Sequence, residues 1–379
     1  MKHFDVVVIG AGIAGSSVAF EAAKTSSVAL VEMESVAGYH STGRSAALFS
    51  ANFASPSTYA LALGSLDFLL NPPAGFSDVP LVSPREVLWV ATPGQASAFD
   101  SMAREVRERG YKVRTLAVSE TVAACPALKP EALHGGLLEL DGYDMDVNAL
   151  HQGYLRGLKA LGCPVLLDMP LTSAEWSQGA WTLRLGGETM TASRLVNAAG
   201  AWGDAVASAC GVQPLGLKAM RRTVATFDAP AQFHGSTWPF VYDIEERFYF
   251  KLEHSTILAS PSDETLQDAG DAVADDMDIA IGIDRIQQVA DLPVSRIRGN
   301  WAGLRVFSPD RDLVVGFDQD VPSFLWLVGQ GGVGIMTAPA AARAAAQLLL
   351  DGQVPADLLA RGLSAELLGP GRFRKKMAA

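Results

Sequence analysis

Residues 5–34, DVVVIGAGIAGSSVAFEAAKTSSVALVEME, decide the fold. Residues 6–9 are a β-branched run suited to a strand buried on both faces. Gly10, Gly12 and Gly15 follow in G-x-G-x-x-G spacing, Ile13 and Ala14 lead into an alanine-rich stretch that predicts a helix over 14–24, and residues 28–31 read as a second short strand. That strand ends at Glu32, 20 residues after Gly12. Each part meets a physical need. Gly10 permits the tight turn, Gly12 lets the backbone approach a pyrophosphate, and Gly15 lets the helix sit close against the sheet. The anion rests on the helix N-terminus, where free N–H groups and the helix dipole favour negative charge. Glu32 is placed to accept hydrogen bonds from ribose hydroxyls. Strand, glycine triplet, helix, strand and acid in this order predict a dinucleotide-binding βαβ unit.

NAD and FAD both use that unit, and the next segment separates them. Instead of continuing through βαβ units, the chain runs into GYHSTGRSAA at 38–47. Ser41, Thr42 and Ser45 offer hydroxyls for phosphate and ribityl oxygens, Arg44 adds a cation, and Ala46 and Ala47 leave room for a broad planar ring against the backbone. This composition favours FAD. Near the other end, residues 324–328 read as a buried strand, 329–334 as a glycine-rich turn carrying Gly331 and Gly334, and 335–350 as an alanine-rich helix ended by Gly352. The start of that helix, with Gly334, Ile335 and Thr337, would point its positive end at a reduced flavin. Both chain ends then meet at one cofactor, so the FAD-binding domain is discontinuous.

The whole chain bounds what else it can do. Its 379 residues, 49 % hydrophobic, suffice for a large core and for two domains. A net charge of −11 excludes a nucleic-acid surface, and the one basic run, GRFRKKM at 371–377, reads as a solvated tail. Cys125, Cys163 and Cys210 are widely separated and show no metal-ligand spacing, which fits a reducing cytoplasm and predicts no metal. The opening apolar stretch runs straight into glycines without a cleavage site, and no segment is long and apolar enough to span a bilayer. Membrane contact, if present, is peripheral, at the inner membrane.

Motifs spread along nearly the whole length carry a resemblance: GAGIAG (10–15), NPPAGF (71–76), NALHQGYLRG (148–157), LVNAAGAW (195–202), RFYFK (247–251), NWAGLR (300–305) and GQGGVGIMT (329–337). Together they resemble the D-amino acid oxidase superfamily of flavoproteins, most of all the FAD-dependent D-arginine dehydrogenases. The resemblance implies an α/β fold: a Rossmann-like FAD-binding domain over 1–80, 146–212 and 304–379, and an α+β substrate domain of mainly antiparallel sheet over 81–145 and 213–303. It places Ala199, Gly200 and Trp202 near FAD, and Leu171 by the adenine. It assigns Arg222, Tyr249 and Arg305 to the substrate carboxylate, and the carbonyls of Gly303 and Gly332 to the substrate amine. An arginine fork matches a carboxylate and fixes the α-carbon over flavin N5 for hydride transfer, so no side-chain base is required. His40 reads as structural. The implied partners are a small-molecule D-amino acid and an electron acceptor, a quinone or similar carrier, with oxygen as the alternative.

Specificity is where the chain departs from that pattern. Leu48, Phe53 and Val87 stand where the D-arginine dehydrogenases carry a histidine, a tyrosine and a glutamate, and Val333 and Met336 replace a tyrosine and a glutamine. A guanidinium entering such a pocket would lose hydration with no counter-charge. Neutral side chains such as those of D-Leu, D-Met or D-Phe are therefore expected. Glu86 beside Val87 would reach the pocket only after a one-residue register slip, so it is expected to face away. Oxidation of a 2-hydroxy acid or a secondary amine of the sarcosine or proline type is the competing enzyme reading, and a flavin-binding sensor or assembly subunit the competing non-enzyme reading.

Overall fold

The computed structural model describes residues 2–52 and 54–373. Two large sheets organise them. The first has eight strands, and at its centre Lys2–Ile9 lies parallel between Val28–Val31 and Glu188–Asn197. Phe324–Val328 joins the far half of Glu188–Asn197, again parallel. Strands in this position are covered on both faces, which is why they read as unbroken apolar runs. Val6 and Val8 point into one core cluster, Val7 and Ile9 into another. The helix Ile13–Ala22 covers the first of these faces and is itself covered by the long helix Gly334–Asp351. The predicted start, second strand and long helix thus form one layered unit, with Gly352 ending the helix Gly334–Asp351 at φ 75°.

The second sheet has ten strands, antiparallel throughout except where Phe240–Asp243 pairs in parallel with Val87–Ala91. Its longest strands, Lys218–Asp228 and Ile297–Phe307, pair along nearly their full length. Because Ile297–Phe307 belongs entirely to this sheet, a boundary between 303 and 304 cuts a continuous strand. A small third sheet, Leu48–Phe49, Tyr143–Met145 and Val82–Pro84, bridges the two. Among the described residues no helix is long and apolar enough to cross a membrane.

The basic run at the end is not wholly solvated. Arg372 Nε donates to Asp310 Oδ2 at 2.7 Å and its Nη groups reach the carbonyls of Asp312, Leu313 and Leu368. A guanidinium with this many carbonyls in reach gains more from docking than from water. Residues 374–377 of the run lie outside the described residues.

Candidate active site

The glycine turn is built by backbone contact. Gly10 adopts φ 99°, and a Cβ there would approach Ala198 O to 2.6 Å. A Cβ on Gly15 would lie 1.7 Å from Gly10 O, so the helix rests directly on the turn. Gly12 caps that helix without a side-chain bond, and with Ile13 N donating to Thr42 Oγ1 the N–H groups of Ala14 and Gly15 are the ones left to an anion. Glu32 is buried and reaches back to the turn, Oε2 accepting from Ala11 N at 2.7 Å and Oε1 from Glu34 N at 3.1 Å. The Ala11 carbonyl accepts from His151 Nε2 at 2.9 Å, and burial lowers the pKa of that imidazole, holding it neutral.

From this turn a cavity of about 570 Å³ runs along residues 38–48, past Ala198–Trp202 and Gly331–Met336, to the ten-stranded sheet. At that far end Arg222, Tyr249 and Arg305 all line it, with Leu48, Gly303, Gly332, Val333 and Met336. Strand alternation separates the adjacent arginines: Arg221 turns away to Asp263 and Asp278, while Arg222 enters the cavity wall. Arg222 is 6 % exposed, its Nε donates to Asp263 O at 3.0 Å, and Glu264 stands 3.3 Å from Nη2. Burial and the nearby Arg305 lower its pKa, though a guanidinium stays charged. The guanidinium of Arg305 passes over Gly332, where a Cβ would stand 2.8 Å from Cζ. Among the described residues no carboxylate pairs with it.

The family model for the DAO, FAD-dependent oxidoreductases matches residues 5–348. This chain belongs to that family. It is an FAD-dependent oxidoreductase. Along 93 % of its length it is 26 % identical to the bovine FAD-dependent oxidoreductase domain-containing protein 1, of which it covers 82 %. In fold it is similar to L-proline dehydrogenase from P. horikoshii, with a TM-score of 0.82, 17 % identity and 99 % of both chains covered. It is likewise similar to glycine oxidase from Geobacillus kaustophilus, with a TM-score of 0.80, 18 % identity, and coverage of 92 % of this chain and 95 % of that one.

The lining suits FAD in its chemistry. Glu32 and Leu171 line the cavity with Gly10, Gly12, Ile13, Ala14 and Thr42 beside the helix start, and the small residues Ala46, Ala47, Gly331, Gly332 and Gly334 leave room for a planar ring. Ser45, Ala199, Gly200 and Trp202 line it as well. Thr42 Oγ1 accepts from Ile13 N at 3.0 Å, so its own proton remains available to a phosphate. Two hydroxyl and charge assignments need correction. Ser41 lines the cavity, but its Oγ donates to Leu304 O at 2.7 Å, so its proton is committed. Arg44 lines it as well, but pairs with Asp271 and donates to the carbonyls of Ala272 and Ala302, so its charge is already engaged. Gly15 and Thr337 do not line the cavity: the first is packing, and Thr337 Oγ1 bonds back to Val333 O.

At the substrate end, Val87 is fully buried and does not line the cavity. It shares a sheet face with Trp89, but Leu48 and the backbone of Gly142 cover it. Glu86 is exposed and outside the lining, as its expected orientation requires. Phe53 lies outside the described residues. His40 lines the cavity with its ring 4.5 Å from Trp202 and Nε2 2.8 Å from Glu34 Oε1, a position that orders the turn. Sequence reading missed Trp89, Tyr242, Ser50, Glu264 and Arg311, all of which line the cavity. Arg311, at φ 67°, carried a turn signal in SPDRD, whereas the others became visible only once strands were paired.

Proposed function

We propose that this protein is a D-amino acid dehydrogenase that oxidises neutral D-amino acids to 2-oxo acids and ammonia. The observation that carries this reading is Arg305: a cation with no carboxylate partner among the described residues, beside a second arginine, in a cavity to whose wall Leu48, Val333 and Met336 contribute apolar side chains. Two neighbouring guanidinium groups repel each other unless an anion joins them. A substrate carboxylate supplies that anion, and the Tyr249 hydroxyl completes the grip. Clamping one end of the substrate fixes its α-carbon, the main source of rate when reactants are otherwise free to tumble. The carbonyls of Gly303 and Gly332 accept from the amine. Bound FAD supplies the two-electron oxidant. The imino acid left after oxidation takes up water and releases ammonia without help from a side-chain base.

The D configuration rests on the sequence resemblance, and the neutral side chain on the apolar positions. In the division of labour that goes with this reading, 1–80, 146–212 and 304–379 serve the cofactor, and 81–145 and 213–303 serve the substrate. The sheets support it with one change, the transfer of residues 304–307 to the substrate side. Three free, buried cysteines, with thiol pKa values pushed up by burial to about 12 for Cys125 and Cys210 and about 11 for Cys163, accord with a reducing cytoplasm. A quinone or similar carrier is the proposed acceptor. Anaerobic mixing of the purified yellow protein with D- and L-amino acids tests the reading. Bleaching of the oxidised flavin band by D-Leu, D-Met or D-Phe, and at least tenfold more slowly by D-Arg, is expected. Bleaching by sarcosine, proline or a 2-hydroxy acid alone would overturn it.

A further inference from the structure

Glu139 is a carboxylate 1 % exposed, on a strand of the larger sheet, opposite Val87. Residues directly opposite in an antiparallel pair share a face, so Glu139 projects to the side where Trp89 and Leu48 meet the cavity. It does not line the cavity itself. Ser50 stands between: its Oγ donates to Glu139 Oε2 at 2.7 Å, and Ser50 lines the cavity. Burial pushes the Glu139 carboxyl up from its ordinary value, against the hydrogen bond from Ser50 and the nearby Asn52 and Ala51 groups, which favour the carboxylate. A carboxylate accepts only, so it holds the Ser50 proton in place.

Ser50 lines the same cavity as the arginine clamp. Leu48 packs against the Tyr249 and Tyr242 cluster that adjoins the arginine clamp, and Ser50 follows two residues later. Tyr249 and Tyr242 have ring centroids 5.1 Å apart, and Tyr242 stacks on Trp89 at 4.7 Å, so aromatic rings continue the wall from Tyr249 to Trp89.

We infer that Ser50, with its proton held by buried Glu139, is a specificity-determining acceptor that selects substrates whose neutral side chain ends in one N–H or O–H donor. This rests on the amino acid reading above and narrows it from neutral side chains to neutral side chains with a distal donor. A buried acceptor left without a donor disfavours the isostere that lacks one.

The test uses the FAD-loaded protein and two matched pairs, D-Tyr against D-Phe and D-Gln against D-Met, compared by kcat/KM. We expect the donor-bearing member to lead by about tenfold or more in at least one pair. Ser50→Ala should bring that ratio close to one while leaving the flavin spectrum unchanged, and Glu139→Leu, which removes the acceptor for the Ser50 proton, should lower it too. A second readout needs no turnover: calorimetric Kd values for 4-hydroxyphenylacetate and phenylacetate, with the hydroxylated acid tighter in the wild type and not in Ser50→Ala. Ratios that Ser50→Ala leaves unchanged, or failure of both acids to bind, would overturn the inference. If no amino acid reduces the flavin yet the two acids differ through Ser50, the amino acid reading fails and the acceptor assignment stands for another carboxylate.

Discussion

The two ends of the cavity are built on opposite principles. At the dinucleotide end, the turn, the helix start and Glu32 all come from one stretch of chain, and the constraints are on backbone space: Gly10 and Gly15 exist because a Cβ has nowhere to go. At the other end, Trp89, Arg222, Tyr242, Tyr249 and Arg305 come from separate strands that the ten-stranded sheet aligns, while Leu48 comes from the small third sheet and Met336 from the helix Gly334–Asp351. Backbone constraints are written locally, whereas side-chain constellations are written in strand order.

That contrast breaks most severely at Gly15. Gly15→Ala puts a methyl 1.7 Å from Gly10 O, so the helix must leave the turn. We expect protein purified without yellow colour and a Kd for FAD, read by flavin fluorescence, raised a hundredfold or more. A variant that binds FAD normally would refute the backbone account. The substrate end should fail differently, by loss of a clamp with the flavin retained. Arg305→Leu removes the unpaired cation and should lower kcat/KM by about a thousandfold, in line with the 3–5 kcal/mol cost of stranding a charge partner. Arg222→Leu should cost less, about ten- to a hundredfold, because Glu264 and Asp263 already engage it. An equal loss would mean that the two arginines act as one fork. The smallest effect lies far from either end, at Asp357, whose pKa the Arg343 guanidinium holds below its ordinary value. Its contribution is present above that ordinary value and is lost as pH falls through the lowered one. Asp357→Asn should therefore destabilise by under about 1 kcal/mol at neutral pH, since the pair is solvent-screened, and by nothing in strong acid. Thermal melts at both pH values measure it.

How far each end could be read from sequence follows from the same contrast. The strand–turn–helix–strand unit was legible because its spacing is fixed by covalent neighbours. Arg222 was legible as a residue type, but its separation from Arg221 required knowing which face of the strand each takes. Val87 shows the limit: it lies on the predicted strand and on the cavity side, yet Leu48 and Gly142 cover it, contacts that no pattern within 83–91 encodes. Ser41 and Arg44 show another. Both lie in the cofactor segment, but their partners, Leu304 and Asp271, are more than two hundred residues away.

The position of Lys2–Ile9 at the centre of the first sheet has a consequence for how the chain is made. This strand is synthesised well before its partners, since one of its neighbours ends at Asn197 and the helix that covers Ile13–Ala22 ends at Asp351. At about 5–20 residues per second, an apolar β-edge stays open for roughly ten seconds or more, and the helix face above it for longer. During synthesis this central strand is made early and enclosed late, so the nascent chain presents an unpaired apolar edge to holdase chaperones before its own sheet can cover it.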